Sequence, residues 1–159
     1  MKRPMTPRGY SHLRSELQKL KAMRPELANA IEVARGHGDL SENSDYDAAK
    51  EKSGMVEAKI RDLEAKLANA EVIDPRKLGT PDKVVFGVSV EMEDVDSGES
   101  RKIMIVGADE TDVDKGYLSL ESPIGKALIG KREGDIAKVR LPSGEKEFEV
   151  LAISVEYED

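Results

Sequence analysis

The 159-residue chain has no cysteine and no tryptophan, and only four tyrosines and two phenylalanines. Without cysteine there is neither a disulfide framework nor a cysteine-ligated zinc site. With so few rings, a binding pocket walled by aromatic side chains is not expected. Long apolar runs are missing too. None approaches the roughly 18 residues that a membrane-spanning helix needs, and the opening stretch MKRPMTPRGYSHL lacks the apolar core of a secretory signal. These absences set the expectation of a cytoplasmic protein with no membrane association.

What the chain has in quantity is charge. Hydrophobic residues make up 38% and charged residues 36%, a balance that favours long exposed helices over one thick core. The net charge of −7 is unevenly spread: residues 1–80 hold 15 Lys and Arg against 13 Asp and Glu, and residues 81–159 hold 10 against 19. The asymmetry points to two halves with different partners. An acidic protein is poorly suited to gripping bare nucleic acid, since that grip comes from cations neutralising phosphates.

The first half repeats apolar residues in a 3-4 spacing. One series runs Leu13, Leu17, Leu20, Arg24, Leu27, Ile31, Ala34; the other runs Tyr46, Ala49, Ser53, Val56, Ile60, Leu63, Leu67, Ala70. This is the seam pattern of a coiled coil. The two series mirror each other about residue 40, as in Ala34 with Tyr46, Leu20 with Ile60 and Leu13 with Leu67. The symmetry predicts two helices folded back antiparallel, the first spanning 7–35 and thus roughly 40–45 Å long at 1.5 Å per residue. Thr6-Pro7 reads as an N-cap and first helical residue, Gly36 and Gly38 as stops, Ser41 or Ser44 as the second cap, and Asp74-Pro75 as the second helix's end. Pro25 threatens a kink, and Arg24 interrupts the seam. Paired in this way, the helices satisfy each other within one chain, so a monomer is expected.

In the second half the period changes to two. Residues 84–92, 101–107, 117–122, 135–141 and 147–157 read as strands, with glycine turns in DSGE (96–99) and PSGE (142–145). Ser122-Pro123 starts a short helix that Gly130 stops. The fold class is therefore α+β. A helical hairpin occupies residues 1–75, with its tip near 36–45. A linker follows at 76–82, and an antiparallel sheet with one short helix occupies 83–159.

Between the two helices lies ARGHGDLSENSDYDAAKE, residues 34–51, which crowds Asp39, Glu42, Asp45 and Asp47 into nine positions. Two explanations are open. Acids at the start of a helix complement its dipole. Alternatively, carboxylates at the end of a rod are delivered into a cavity that another molecule owns. Asp39 and Glu42 are three residues apart, and oxygen ligands of this kind suit Mg²⁺, which commonly takes one or two carboxylates plus phosphate and water.

Three stretches, PMTPRGYSHLRSELQKL, ARGHGDLSENSDYDAAKE and SPIGKALIGK followed by GD, resemble in order three signatures of the bacterial Gre transcript-cleavage factors. The resemblance covers almost the whole chain and resolves the ambiguity towards function. It implies an FKBP-like C-terminal domain that docks on bacterial RNA polymerase through Ser119, Glu121, Pro123 and Ile124. It also implies a hairpin that enters the polymerase's secondary channel. There Asp39 and Glu42 help position a second Mg²⁺ and a water at the nascent RNA 3′ end of a backtracked complex, and the polymerase cleaves the RNA. On this reading the chain is not itself an enzyme and binds no cofactor tightly; the Mg²⁺ is shared with the polymerase. Arg35 and Lys50 match basic positions near the RNA, although a solvated helix face explains them equally well. Asn43, Ser44 and Tyr46 fall where the tip is ordered, with Tyr46 also on the seam. The second helix lacks the dense basic run of one branch of the family, which places the chain with the branch whose cleavage products are short.

Three other functions compete. The FKBP-like likeness suggests a prolyl isomerase, but Phe86, Tyr117, Phe148 and Tyr157 are the only rings there to wall its pocket. A non-cleaving or inhibitory secondary-channel regulator shares the architecture and differs only in the chemistry of the tip. A plain coiled-coil scaffold dimerises through the seam and leaves the acids without a task.

Overall fold

The computed structural model describes residues 2–36 and 43–159. The chain divides into two compact units, Met1–Tyr10 with Ala70–Asp159, and Ser11–Asn69.

The helical unit is a hairpin. Its first arm is α1 (Pro7–Ala22) followed by α2 (Arg24–Arg35), and its second arm is α3 (Ser44–Ala68). The single helix expected over 7–35 is thus interrupted at Met23. Pro25 has no N–H to offer the carbonyl four residues earlier, and its ring crowds that carbonyl. The Met23 amide instead donates to Leu20 at 3.1 Å, a tightened turn, and Met23 stays in right-handed helical conformation at φ −76°, ψ −17°. The seam forms with one exchange. Leu27, Val56 and Ile60 are buried together, with Leu17, Leu20 and Met23 packed against them. Met23, not Arg24, fills the seam position. Arg24 turns outward, and its guanidinium meets the Glu57 carboxylate at 3.1 Å.

The ends of the hairpin also depart from expectation. Asn43, rather than Ser44, caps α3: its side-chain oxygen accepts from the Tyr46 amide at 3.0 Å, and Ser44 is the first helical residue. The alternative cap, Ser41, lies outside the described residues. At the other end α3 stops at Ala68, well before Asp74-Pro75, which caps a short 3₁₀ turn over Pro75–Lys77 instead.

Between Ala68 and that turn lies a strand that local pattern does not signal. β1 (Arg3–Met5) pairs in parallel with β2 (Ala70–Val72). This pairing carries residues 1–10 and the chain from 70 onward into the sheet unit, where the sequence spacing puts the boundary at 76–82. A buried polar knot sits beside it. Thr6 is fully buried, and its amide donates to Glu110 Oε2 at 3.0 Å. The Thr6 hydroxyl donates to Glu110 Oε1, and the Gly107 amide reaches Oε2 at 3.2 Å. Thr6 also caps α1, accepting from the Gly9 amide at 3.1 Å.

The main sheet contains β3 (Ser89–Asp94), β4 (Ser100–Val106), β5 (Tyr117–Ser119), β6 (Ile136–Leu141) and β7 (Gly144–Ser154), in the order β5-β4-β3-β7-β6. All pairings are antiparallel except β4 with β5, which is parallel. The expected antiparallel sheet thus carries one parallel pair at its edge, because residues 107–116 between these strands form two 3₁₀ turns rather than a hairpin. The strand expected from residue 84 begins only at Ser89. Gly87 takes φ +91° directly under Pro75, and a Cβ there would lie 2.6 Å from the Pro75 ring.

Alternation along β4 sends its side chains to two faces. Ile103 and Ile105 join the main core with Val84, Val90, Leu128 and Phe148. Met104 and Val106 pack with Tyr157 on the other face. The short helix α4 (Pro123–Leu128) closes the main core.

Candidate functional site

Two sets of residues were expected to carry function, one at the hairpin's turn and one at the start of α4. They belong to different units.

At the turn, Asp39 and Glu42 lie outside the described residues, as do Gly38 and His37. The residues on either side are described, and they are tied together. Asn43 does two jobs. Its carbonyl oxygen caps α3, and its amide nitrogen donates to the Ala34 carbonyl in the last turn of α2 at 2.5 Å. One side chain therefore satisfies an orphan donor of one helix and an orphan acceptor of the other. The ends of α2 and α3 are thereby held side by side.

Tyr46 lies one turn into α3, at the position paired by symmetry with Ala34. Its ring has two cations near it: Arg35 Cζ at 6.0 Å from the centroid and Lys50 Nζ at 5.2 Å. The neighbouring Arg35 guanidinium lowers the Tyr46 pKa below the ordinary phenol value; burial opposes the effect, and the Lys50 charge adds to it. The tyrosine is likewise the main reason the Arg35 pKa is raised. Arg35 also faces Glu32 at 3.6 Å across one helical turn. Ser44 is exposed at the first helical position and makes no part of the cap. Asp45 and Asp47 stand in the first turn of α3, where they complement its dipole. Among the described residues, no group of three or more His, Asp or Glu side chains is placed to hold a metal ion.

At the start of α4 the four expected residues are adjacent but unlike. Ser119 ends β5, and its hydroxyl accepts from the Glu121 amide at 3.0 Å while its carbonyl accepts from the Ser122 hydroxyl at 2.6 Å. The Ser122 hydroxyl in turn caps α4, accepting from the Gly125 amide at 3.0 Å. Gly125 leaves no room for a side chain, since a Cβ would lie 2.1 Å from the Ser119 oxygen. This close approach fixes the loop between β5 and α4. Glu121 and Pro123 are exposed on it, and Ile124 packs partly against the core. The supporting pair, Ser122 and Gly125, is not recognisable as a unit from the sequence; the Ser-Pro cap signals the first of them, and nothing local signals the second.

Comparison with known proteins matches both units. Residues 3–72 match the family described as transcription elongation factor, N-terminal, and residues 79–155 match transcription elongation factor, GreA/GreB, C-term. The chain is 53% identical over 151 residues to the transcription elongation factor GreA of Ralstonia nicotianae, covering 94% of this chain and 96% of that protein. It is 50% identical over 153 residues to the GreA of Methylococcus capsulatus, covering 96% and 97%. Among solved structures, GreA factor homolog 1 of Thermus thermophilus is 31% identical, with 96% of this chain and 99% of that chain covered and a TM-score of 0.45.

Proposed function

The chain belongs to the GreA/GreB family of transcription elongation factors, and from that premise we propose that it stimulates RNA polymerase to hydrolyse backtracked RNA, acting in the cytoplasm as a monomer and not as an enzyme in its own right. The observation that carries the reading is where the acids fall. Asp39 and Glu42 occupy the connection between α2 and α3, and Asn43 draws the ends of those helices together.

The donor set suits the chemistry. Two carboxylates are hard oxygen ligands, and they leave most of a Mg²⁺ coordination shell to be filled from elsewhere. Asp39 and Glu42 would hold the ion on one side, and the polymerase would hold it on the other. When bound, such a second ion supplies a nucleophile at neutral pH and steadies the leaving oxygen. The chain's own part is to carry the carboxylates on a slender arm and orient the attacking water. Arg35 and Lys50 meet RNA phosphate beside them. Ser119, Glu121, Pro123 and Ile124 dock the sheet unit on the polymerase, on a loop that Ser122 and Gly125 hold fixed.

The test is a defined backtracked complex incubated with the purified protein and Mg²⁺. The expected outcome is RNA shortened from its 3′ end, with extension resuming afterwards. Protection of the RNA, or inhibited synthesis without cleavage, would show a non-cleaving regulator of the same channel.

A further inference from the structure

We propose that Tyr46 is a positioning residue, which holds Arg35 and Lys50 as a prearranged pair for one phosphate of the RNA; this rests on the functional reading above and deepens it. Each of the two cations reaches the tyrosine from a different helix, Arg35 from the last turn of α2 and Lys50 from the second turn of α3. Both come within cation–π range of one ring, at 6.0 and 5.2 Å. Asn43 keeps the two helix ends at fixed separation beneath them.

The physical consequence follows from side-chain entropy. Arg and Lys are long and rotamer-rich, and each loses freedom when it closes on a phosphate. A pair already gathered on one ring has lost part of that freedom beforehand. The gathering also brings two like charges together, an arrangement that an anion relieves. Arg35 is shared with Glu32, but at 3.6 Å that contact is a loose ion pair rather than a tight hydrogen bond, and a phosphate oxygen competes well with it.

The experiment compares full-length variants on a defined backtracked complex, reading cleavage rate against salt. Tyr46→Leu loses about tenfold in cleavage, and its rate falls less steeply with rising salt even though no charge is removed. Tyr46→Phe keeps the packing and the ring face against which both cations rest, and it stays within about twofold of wild type. In an Arg35→Gln/Lys50→Gln background, Tyr46→Leu has little further effect, because the groups it positions are gone. A structural role alone would leave the salt dependence unchanged and would add in full to the double variant. Wild-type cleavage by Tyr46→Leu, a loss in Tyr46→Phe as large as that in Tyr46→Leu, or full additivity overturns the proposal. A wild-type protein that stimulates no cleavage removes the functional reading and this inference together, whereas wild-type cleavage with an undiminished Tyr46→Leu variant removes this inference alone.

Discussion

The two units bury apolar surface in different ways. In the sheet unit, Val84, Val90, Met92, Ile105, Leu128 and Val150 are wholly enclosed, and β4 is covered on both faces. In the helical unit burial is confined to one seam, with Leu27, Val56 and Ile60 at its centre and charged residues around the rest of each helix. A slender arm has no alternative, since two helices share a single contact line. The sheet unit's stability is spread over many enclosed side chains, whereas the arm depends on a few seam residues and on what ties its ends.

The strongest way to sharpen that contrast is to cut the same side chain in each place. Ile105→Ala opens a cavity walled on all sides and is expected to destabilise the sheet unit by about 4 kcal/mol. Ile60→Ala is as deeply buried, at 1% exposure, but its neighbours on an open seam can close in, so about 2–3 kcal/mol is expected for the hairpin. Amide hydrogen exchange, read separately in the two units, checks both; a larger loss at Ile60 would reverse the comparison.

Next in size is the tie at the turn. Asn43→Ala removes a helix cap and the bond to Ala34 together, and should weaken the hairpin by about 1–2 kcal/mol. The loss should appear as faster exchange in the last turn of α2 as well as the first turn of α3. A change confined to α3 would mean that the link to α2 contributes nothing.

A smaller effect has the opposite sign. Gly54 sits mid-helix, and a Cβ added there would have nothing within 4 Å, so Gly54→Ala should stabilise the hairpin by about 1 kcal/mol. Thermal unfolding of the helical signal would move up; an unchanged or lower midpoint would show that the glycine serves some purpose other than packing.

The smallest effects are electrostatic. Asp74, Asp82, Asp94 and Glu156, all in the sheet unit, are held below the usual carboxylate range. Arg76 does this for Asp74, Arg132 for Asp82, the Asp96 and Ser97 amides for Asp94, and Lys102 for Glu156. Because the folded pKa is the lower one, their contribution is fully present above the unfolded value, roughly 4, and is lost as pH falls through the folded values. Denaturant unfolding of the sheet unit should therefore have a lower midpoint at acid pH than at neutral pH. These groups face solvent, so the shift should be modest; a midpoint that rises on acidification would contradict the assignment.

Much of this contrast was legible in the sequence, and the exceptions have physical causes. The 3-4 spacing marks the hairpin because a seam repeats; it misassigned Ala70, which opens β2, and the position next to Pro25, where a lost backbone bond lets Met23 turn inward and Arg24 turn out. The cap of α3 was ambiguous because Ser41, Asn43 and Ser44 are all competent, and geometry alone selects Asn43. The pairing of Arg3–Met5 with Ala70–Val72, and of Thr6 with Glu110, joins residues far apart in the chain and leaves no local pattern to read. At the site, residue type left the four acids ambiguous and the family resemblance pointed to Asp39 and Glu42, which lie outside the described residues. The joint placement of Arg35, Tyr46 and Lys50 is a product of two helix ends meeting, which spacing along one helix does not reveal.

The proposed function requires two carboxylates to act inside another enzyme's catalytic chamber. Its most direct test is to replace each singly, Asp39→Ala and Glu42→Ala, and to measure both polymerase binding and cleavage of a defined backtracked RNA at saturating Mg²⁺. The predicted result is binding at the wild-type level with stimulated cleavage lost in both variants. Undiminished cleavage by both would contradict the account.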